Sequence, residues 1–209
     1  MIFLRYESFR GYLKAYPVTS VLIALNILMY IAQMASGGLN TGTLTSRFLF
    51  FQSPLDPYGL EEPWRYVTSM FVHGGLQHLL FNMFALLVFA PPLEKLLGSV
   101  RYLILYLLSG VAGNLIGAVI VTGTQLSLGA SGAIYGVYGA YLFIALLRKG
   151  MMDKSSEQTV YIILLSGVVY SVINVGVDLW AHVGGAIGGF LLYGLMDKRE
   201  RYRKDRYRR

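Results

Sequence analysis

Apolar residues along this chain fall in long stretches separated by shorter polar connections. A helix needs about 20 largely apolar residues to cross a hydrocarbon core roughly 30 Å thick. Six segments approach that length: Pro17 to Ala35, Phe71 to Leu93, Tyr102 to Val121, Ser131 to Leu147, Val160 to Val175 and Leu179 to Met196. The first could be mistaken for a signal peptide, but Arg5, Glu7, Arg10 and Lys14 precede it as a long charged leader, and its apolar stretch is as long as a full span. It reads as an uncleaved anchor. The longest connection, Ser36 to Ser69, has no continuous apolar span yet carries Phe48, Phe50, Phe51, Tyr58, Trp64 and Tyr66, rings suited to the outer membrane interface. The pattern predicts an all-α membrane protein, a bundle of six transmembrane helices. A leader over 1–16, one compact domain over 17–196 and a basic tail over 197–209 complete the expected organisation.

Composition strengthens this picture. The 209 residues are 55% hydrophobic and 14% charged, against roughly 25% charged in soluble domains. Cysteine is absent, which removes a disulfide framework, a thiolate metal site and a cysteine nucleophile. The net charge of +7 does not point to nucleic acid, because the basic residues form no soluble face that could follow a phosphate backbone. Eight of the 18 Lys and Arg lie in the tail: Lys198, Arg199, Arg201, Arg203, Lys204, Arg206, Arg208 and Arg209. With the N-terminus in the cytoplasm, Arg5, Arg10, Lys14, Lys95, Arg101, Arg148, Lys149, Lys154 and the tail all fall inside, and only Arg47 and Arg65 fall outside. That is the bias expected of cytoplasmic loops. It predicts a multi-pass cell-membrane protein with both termini cytoplasmic.

Polar side chains are costly within a span and mark function by default. Here His73, His78 and Asn82 lie in the outer half of span two, Ser131 opens span four, and His182 lies near the outer end of span six. A lone serine means little, since it can bond to its own helix backbone. Depth changes the weighting: Ser131 lies 17 residues from Arg148, His182 16 from Lys198 and His78 16 from Glu94, each about 24 to 25 Å at the helical rise. Three reactive side chains from three helices are thus predicted at one level. Gly129, Ala130 and Gly132 leave Ser131 unobstructed, and Gly185 with Gly189 repeats a spacing that draws membrane helices together. Serine needs a base, and His182 is the best candidate. Asp178 sits one turn before His182 at the aqueous end, so a Ser-His dyad is expected rather than a triad. Tyr135, one turn below Ser131, could stack on the imidazole. His78 and Asn82, four apart on one face, could donate toward a developing oxyanion, as could free N–H groups at the start of span four. His73 is placed nearer the interface, suited to water access or loop anchoring.

These residues resemble a family. Gly129-Ala130-Ser131-Gly132 with Tyr135 is similar to the GxSG motif of rhomboid intramembrane proteases. Ala181-His182-Val183-Gly184-Gly185 through Gly189 is similar to their AHxxGxxxG motif, and His73, His78 and Asn82 keep the H-x4-H-x3-N spacing. Trp64-Arg65 falls at the end of the long first loop, as in the family. The resemblance implies a six-helix bundle with a hydrated cavity opening outward, where Ser131 attacks a peptide bond of a single-span membrane protein. It implies His182 as general base, the Ser131 backbone with His78 and Asn82 as the oxyanion hole, and no metal or cofactor. The expected partners are the lipid bilayer and membrane-protein substrates.

Two other classes compete. A non-catalytic relative that binds membrane clients would lack the serine or histidine, and both are present. A small transporter or channel could line its path with such residues, but no charged residue is expected at mid-span, nor a matched pair of broken helices.

Overall fold

A computed structural model describes residues 2–4, 6–39, 43–174 and 176–197. The basic tail, Lys198 to Arg209, and Arg5 of the leader lie outside the described residues. The described chain is mostly helical: α1 (Phe9–Ala15), α2 (Pro17–Ala35), α3 (Leu44–Phe48), α4 (Arg65–Thr68), α5 (Leu76–Leu97), α6 (Ser99–Ile120), α7 (Ser131–Leu147), α8 (Lys154–Ile173) and α9 (Leu179–Met196). Among them α2, α5, α6, α8 and α9 are long and apolar enough to cross a membrane, and α7 is apolar but shorter, at 17 residues. The protein is therefore a multi-pass helical membrane protein.

Local chemistry sets the helix ends. Pro17 stands at the start of α2, where a missing N–H costs nothing. Asp153 and Asp178 cap α8 and α9 by accepting from Ser156 N and Ala181 N, satisfying donors that a helix leaves open. Gly98, at φ 79°, turns the chain between α5 and α6. Glu94 does something less usual. Its carboxyl group, 1% exposed, accepts from Val18 N (3.0 Å), Thr19 N (2.9 Å), Thr19 Oγ1 (2.7 Å) and Ser99 Oγ (2.8 Å). One side chain near the end of α5 thus caps α2 and holds the start of α6.

The core centres on α7, which packs against α5, α6, α8 and α9. Glycines set the closest seams. A Cβ on Gly185 would overlap the carbonyl oxygen of Gly132, one on Gly189 that of Gly136, and one on Gly139 that of Ala186. On the other face of α9, Gly113 of α6 meets the Ala181 carbonyl in the same way. Small residues let helix backbones approach closely, which is the main packing device available where lipid is as apolar as the core.

Several expectations need correction. Span two does not begin at Phe71: Ser69–Phe71 is a 3-10 turn, and α5 starts only at Leu76, after Gly75 at φ 152° breaks the chain. It continues through Pro91 and Pro92 to Leu97. Span five begins at Lys154, not Val160, because the Asp153 cap carries the helix beyond its apolar part. The fold is also not purely helical. β1 (Phe50–Gln52) of the first loop pairs antiparallel with β2 (Gln125–Ser127), Phe50 opposite Ser127 and Gln52 opposite Gln125.

Candidate active site

Ser131 is the first residue of α7, and the loop before it is pinned. Gly129 adopts φ 116° and donates to the Ser69 carbonyl at 2.9 Å. That backbone sign strongly favours glycine. His78 lies against it so closely that a Cβ at Gly129 would come within 2.6 Å of the imidazole Cε1. The first N–H groups of α7, including that of Ser131, have no intrahelical acceptor by helix geometry.

His182, on the first turn of α9 and 7% exposed, lies across the glycine seam. Its Nε2 is 2.8 Å from Ser131 Oγ. Tyr135, one turn along α7, stacks on the imidazole with centroids 4.1 Å apart and planes 5° from parallel. The acid side chain nearest in sequence is engaged elsewhere: Asp178 accepts from Ala181 N at 2.9 Å and from Gln125 Nε2 at 2.8 Å. Nδ1 of His182 instead faces Ser171 Oγ of α8 at 2.8 Å. Sequence reasoning passed over Ser171, since one serine in a span reads as bonded to its own helix, and it is also that: its hydroxyl donates to the Gly167 carbonyl at 2.7 Å.

The α5 side chains complete the wall. Gly74 N donates to His78 Nδ1 at 3.4 Å, a contact that suits the tautomer with its proton on Nε2, the nitrogen next to Gly129. Asn82 Nδ2 donates to the His78 carbonyl at 2.9 Å, and its second N–H remains for another acceptor. Ser131, His182, His78, Asn82 and Tyr135 all line one cavity of about 1110 Å³.

His73 lies outside the helix in which the sequence placed it. It is fully buried within the protein, and it precedes the Gly74-Gly75 break instead of lying on the α5 helix. Gln33 of α2 holds it, donating to the His73 carbonyl (3.1 Å) and accepting from its N–H (3.0 Å), while His73 Nε2 accepts from Ala130 N at 3.5 Å. Its ring meets that of His78 edge-on at 5.0 Å. Trp64 and Arg65 stand apart from the cavity. Trp64 is about half exposed, whereas the Arg65 guanidinium pairs with Glu62 and donates to the carbonyls of Ser46 and Leu49 at 2.8 Å, clasping the first loop.

Known proteins share this arrangement of sequence. Residues 60–199 match the Rhomboid domain. The chain is 33% identical over 205 residues to the putative rhomboid protease YdcA of Bacillus subtilis, covering 96% of this chain and 99% of that protein. It is 35% identical over 173 residues to the rhomboid protease GluP of the same organism, 82% of this chain but only 33% of that longer protein. RHOMBOID-like protein 4 of Arabidopsis thaliana is 35% identical over 133 residues, 63% of this chain and 34% of that one. Matched along nearly its whole length by one relative and over residues 60–199 by the family domain, the chain belongs to the rhomboid family of intramembrane serine proteases.

Proposed function

We propose that the chain is an intramembrane serine endopeptidase that cuts single-span membrane proteins near the outer end of their transmembrane segment, using Ser131 and His182 as a dyad. The observation that carries this reading is the 2.8 Å contact between Ser131 Oγ and His182 Nε2 inside a cavity large enough for a peptide segment. The serine proton passes to Nε2 as Oγ attacks the scissile carbonyl carbon. The resulting oxyanion takes hydrogen bonds from the Ser131 N–H, from Asn82 Nδ2 and from His78 Nε2. The protonated imidazole then gives its proton to the departing amine, and water, deprotonated by the same nitrogen, releases the acyl group. Such donors matter because charge develops at fixed dipoles in a site of low dielectric. Gly132, Gly185 and Gly189 keep the seam close, Gly129 leaves room for His78, Tyr135 holds the ring, and His73, Trp64 and Arg65 hold the loops around it.

The chain crosses the membrane six times in this reading, with both termini in the cytoplasm of a cell membrane. At about 25 Å for 17 residues, α7 nearly spans the core, and it is wrapped by other helices rather than by lipid. The organisation is then a leader over 1–16, a protease domain over 17–196 and a basic tail over 197–209. Ser131 lies at the outer end of α7, so a substrate helix must unwind there to free a backbone that lipid keeps internally bonded.

The test uses purified protein, a fluorophosphonate probe and a tagged single-span reporter. Wild type labels and cuts; Ser131→Ala neither labels nor cuts; His182→Ala and the double mutant lose turnover to the same extent, since the pair acts as one unit. Full activity in His182→Ala would remove the dyad. Mass spectrometry of the products should place the cut near the outer end of the reporter's span, and a cut at the cytoplasmic end would contradict the orientation.

A further inference from the structure

We propose that Ser171 is a positioning residue that holds His182 in the one tautomer able to take the serine proton. This rests on the dyad reading above and adds a third member to it. A neutral imidazole has one N–H and one bare nitrogen. To act on Ser131, His182 must keep Nε2 bare, so its proton must sit on Nδ1 and find an acceptor there. In Ser-His-Asp enzymes a carboxylate serves that purpose. Here Asp178 is held by Ala181 N and Gln125, and the group 2.8 Å from Nδ1 is Ser171 Oγ.

A hydroxyl could donate or accept, and its second contact decides which. Ser171 Oγ also lies 2.7 Å from the carbonyl oxygen of Gly167. A carbonyl only accepts, so the single hydroxyl proton is committed to it. The lone pairs of Oγ are then left facing Nδ1 and can only accept. These three contacts share their protons without conflict: Ser131 Oγ–H to Nε2, Nδ1–H to Ser171 Oγ, and Ser171 Oγ–H to Gly167 O. No proton leaves Ser171 during turnover. When Nε2 gains the serine proton, the Nδ1–H bond to Ser171 becomes charge-assisted and shorter. A neutral acceptor does this without placing a second ion in an apolar interior, where a buried carboxylate carries a heavy desolvation penalty.

Packing fixes the geometry from two further directions. Tyr135 lies flat on the imidazole and restrains its plane. The Tyr135 hydroxyl in turn sits where a Cβ on Gly167 would be, so a glycine one turn before Ser171 lets α8 come near enough for the contact. Ser171 is one of three buried residues on a helix that is otherwise mostly exposed, which is where a side chain retained for a contact would be found.

The test reads the tautomer directly. With 15N-histidine incorporated into the full chain there are only three histidines to resolve, and His182→Gln identifies the signal. At mildly alkaline pH, wild type should show His182 protonated at Nδ1. A proton on Nε2 would overturn the proposal without any variant being made. Ser171→Ala should lower kcat by roughly 10- to 100-fold with KM unchanged, a smaller loss than the roughly 10⁴-fold seen when a triad histidine is forced into the wrong tautomer. Ser171→Thr, which keeps the hydroxyl, should recover most of the rate. Equal losses in both variants, an unchanged kcat in Ser171→Ala, or a loss confined to KM would each remove the role. If Ser131→Ala and His182→Ala are dead while Ser171→Ala is fully active, the dyad stands and only this inference falls.

Discussion

Helices α7 and α8 are consecutive and carry no charge beyond the first turn of α8, yet 13 of the 17 residues of α7 are buried against three of the 20 in α8. In water, such a contrast would be written in the apolar pattern. In lipid it cannot be, because hydrocarbon tails solvate leucine as well as a protein core does. The difference lies instead in small residues. Gly132, Gly136 and Gly139 put the α7 backbone directly against α9, whereas α8 turns Ile162, Leu165, Val168, Val172 and Ile173 outward. The proposed nucleophile and the proposed base therefore sit on the tightly seamed pair. The side chain proposed to orient that base comes from the loosely held helix.

The seam is the place where this contrast can be broken most severely. Gly189→Leu would drive a side chain into the Gly136 carbonyl, backbone against backbone with nowhere to shift. The loss should exceed about 4 kcal/mol, the range reserved for overpacking of this kind. The variant should fail to give a cooperative thermal transition in detergent and should be degraded in cells. A variant that melts like wild type would mean that helix separation is not limited by this glycine.

Next in size are the donors on α5. Removing one oxyanion donor costs about 10²- to 10³-fold in turnover, so Asn82→Ala and His78→Ala should each lower kcat toward that range. The double mutant should be slower than either, with the melting temperature little changed. Among the described residues Asn82 donates to the His78 carbonyl on its own helix, and stability should depend little on it. Unchanged rates in all three would reduce these residues to packing of α5 and leave the oxyanion to backbone N–H groups alone.

What could be read from sequence divides along the same line. The bounds of α2, α7 and α9 match the expected spans residue for residue, because proline, aspartate and arginine stand at or next to their ends. The bounds of α5, α6 and α8 do not, since a glycine pair before α5, the Gly98 turn before α6 and a distant cap on α8 move those ends away from the apolar edge. The meeting of Ser131 with His182 was legible through the glycines that close the seam and the common depth of the two helices. The depth of His78 was measured from Glu94 as though that residue stood in water, and Glu94 is buried. Hydropathy cannot distinguish a carboxyl group bonded by four donors from one at the interface. Gln33 and Ser171 were missed for a related reason: each acts through a partner on another helix, and neither has a spacing that would announce it. The three-residue strands left no periodicity to detect.

The smallest effect expected is on the outer face of α8, and it tests whether that face really belongs to lipid. Leu165 is 69% exposed. A leucine buried in a core costs about 2 to 5 kcal/mol when cut to alanine, from lost transfer energy and the cavity left behind. Neither term applies where lipid chains fill the space, so Leu165→Ala should fall within about 0.5 kcal/mol of wild type, as surface changes do. Its kcat should also match wild type, because Leu165 lies nearly two turns from Ser171 on α8. Thermal melting in lipid nanodiscs and turnover of the reporter are the measurements. A loss above about 2 kcal/mol would be a core-sized penalty, and it would mean that protein, such as a second copy of this chain, covers α8 in the membrane. In that case the low burial of α8 would describe the isolated chain and not the working enzyme, and the contrast with α7 would disappear.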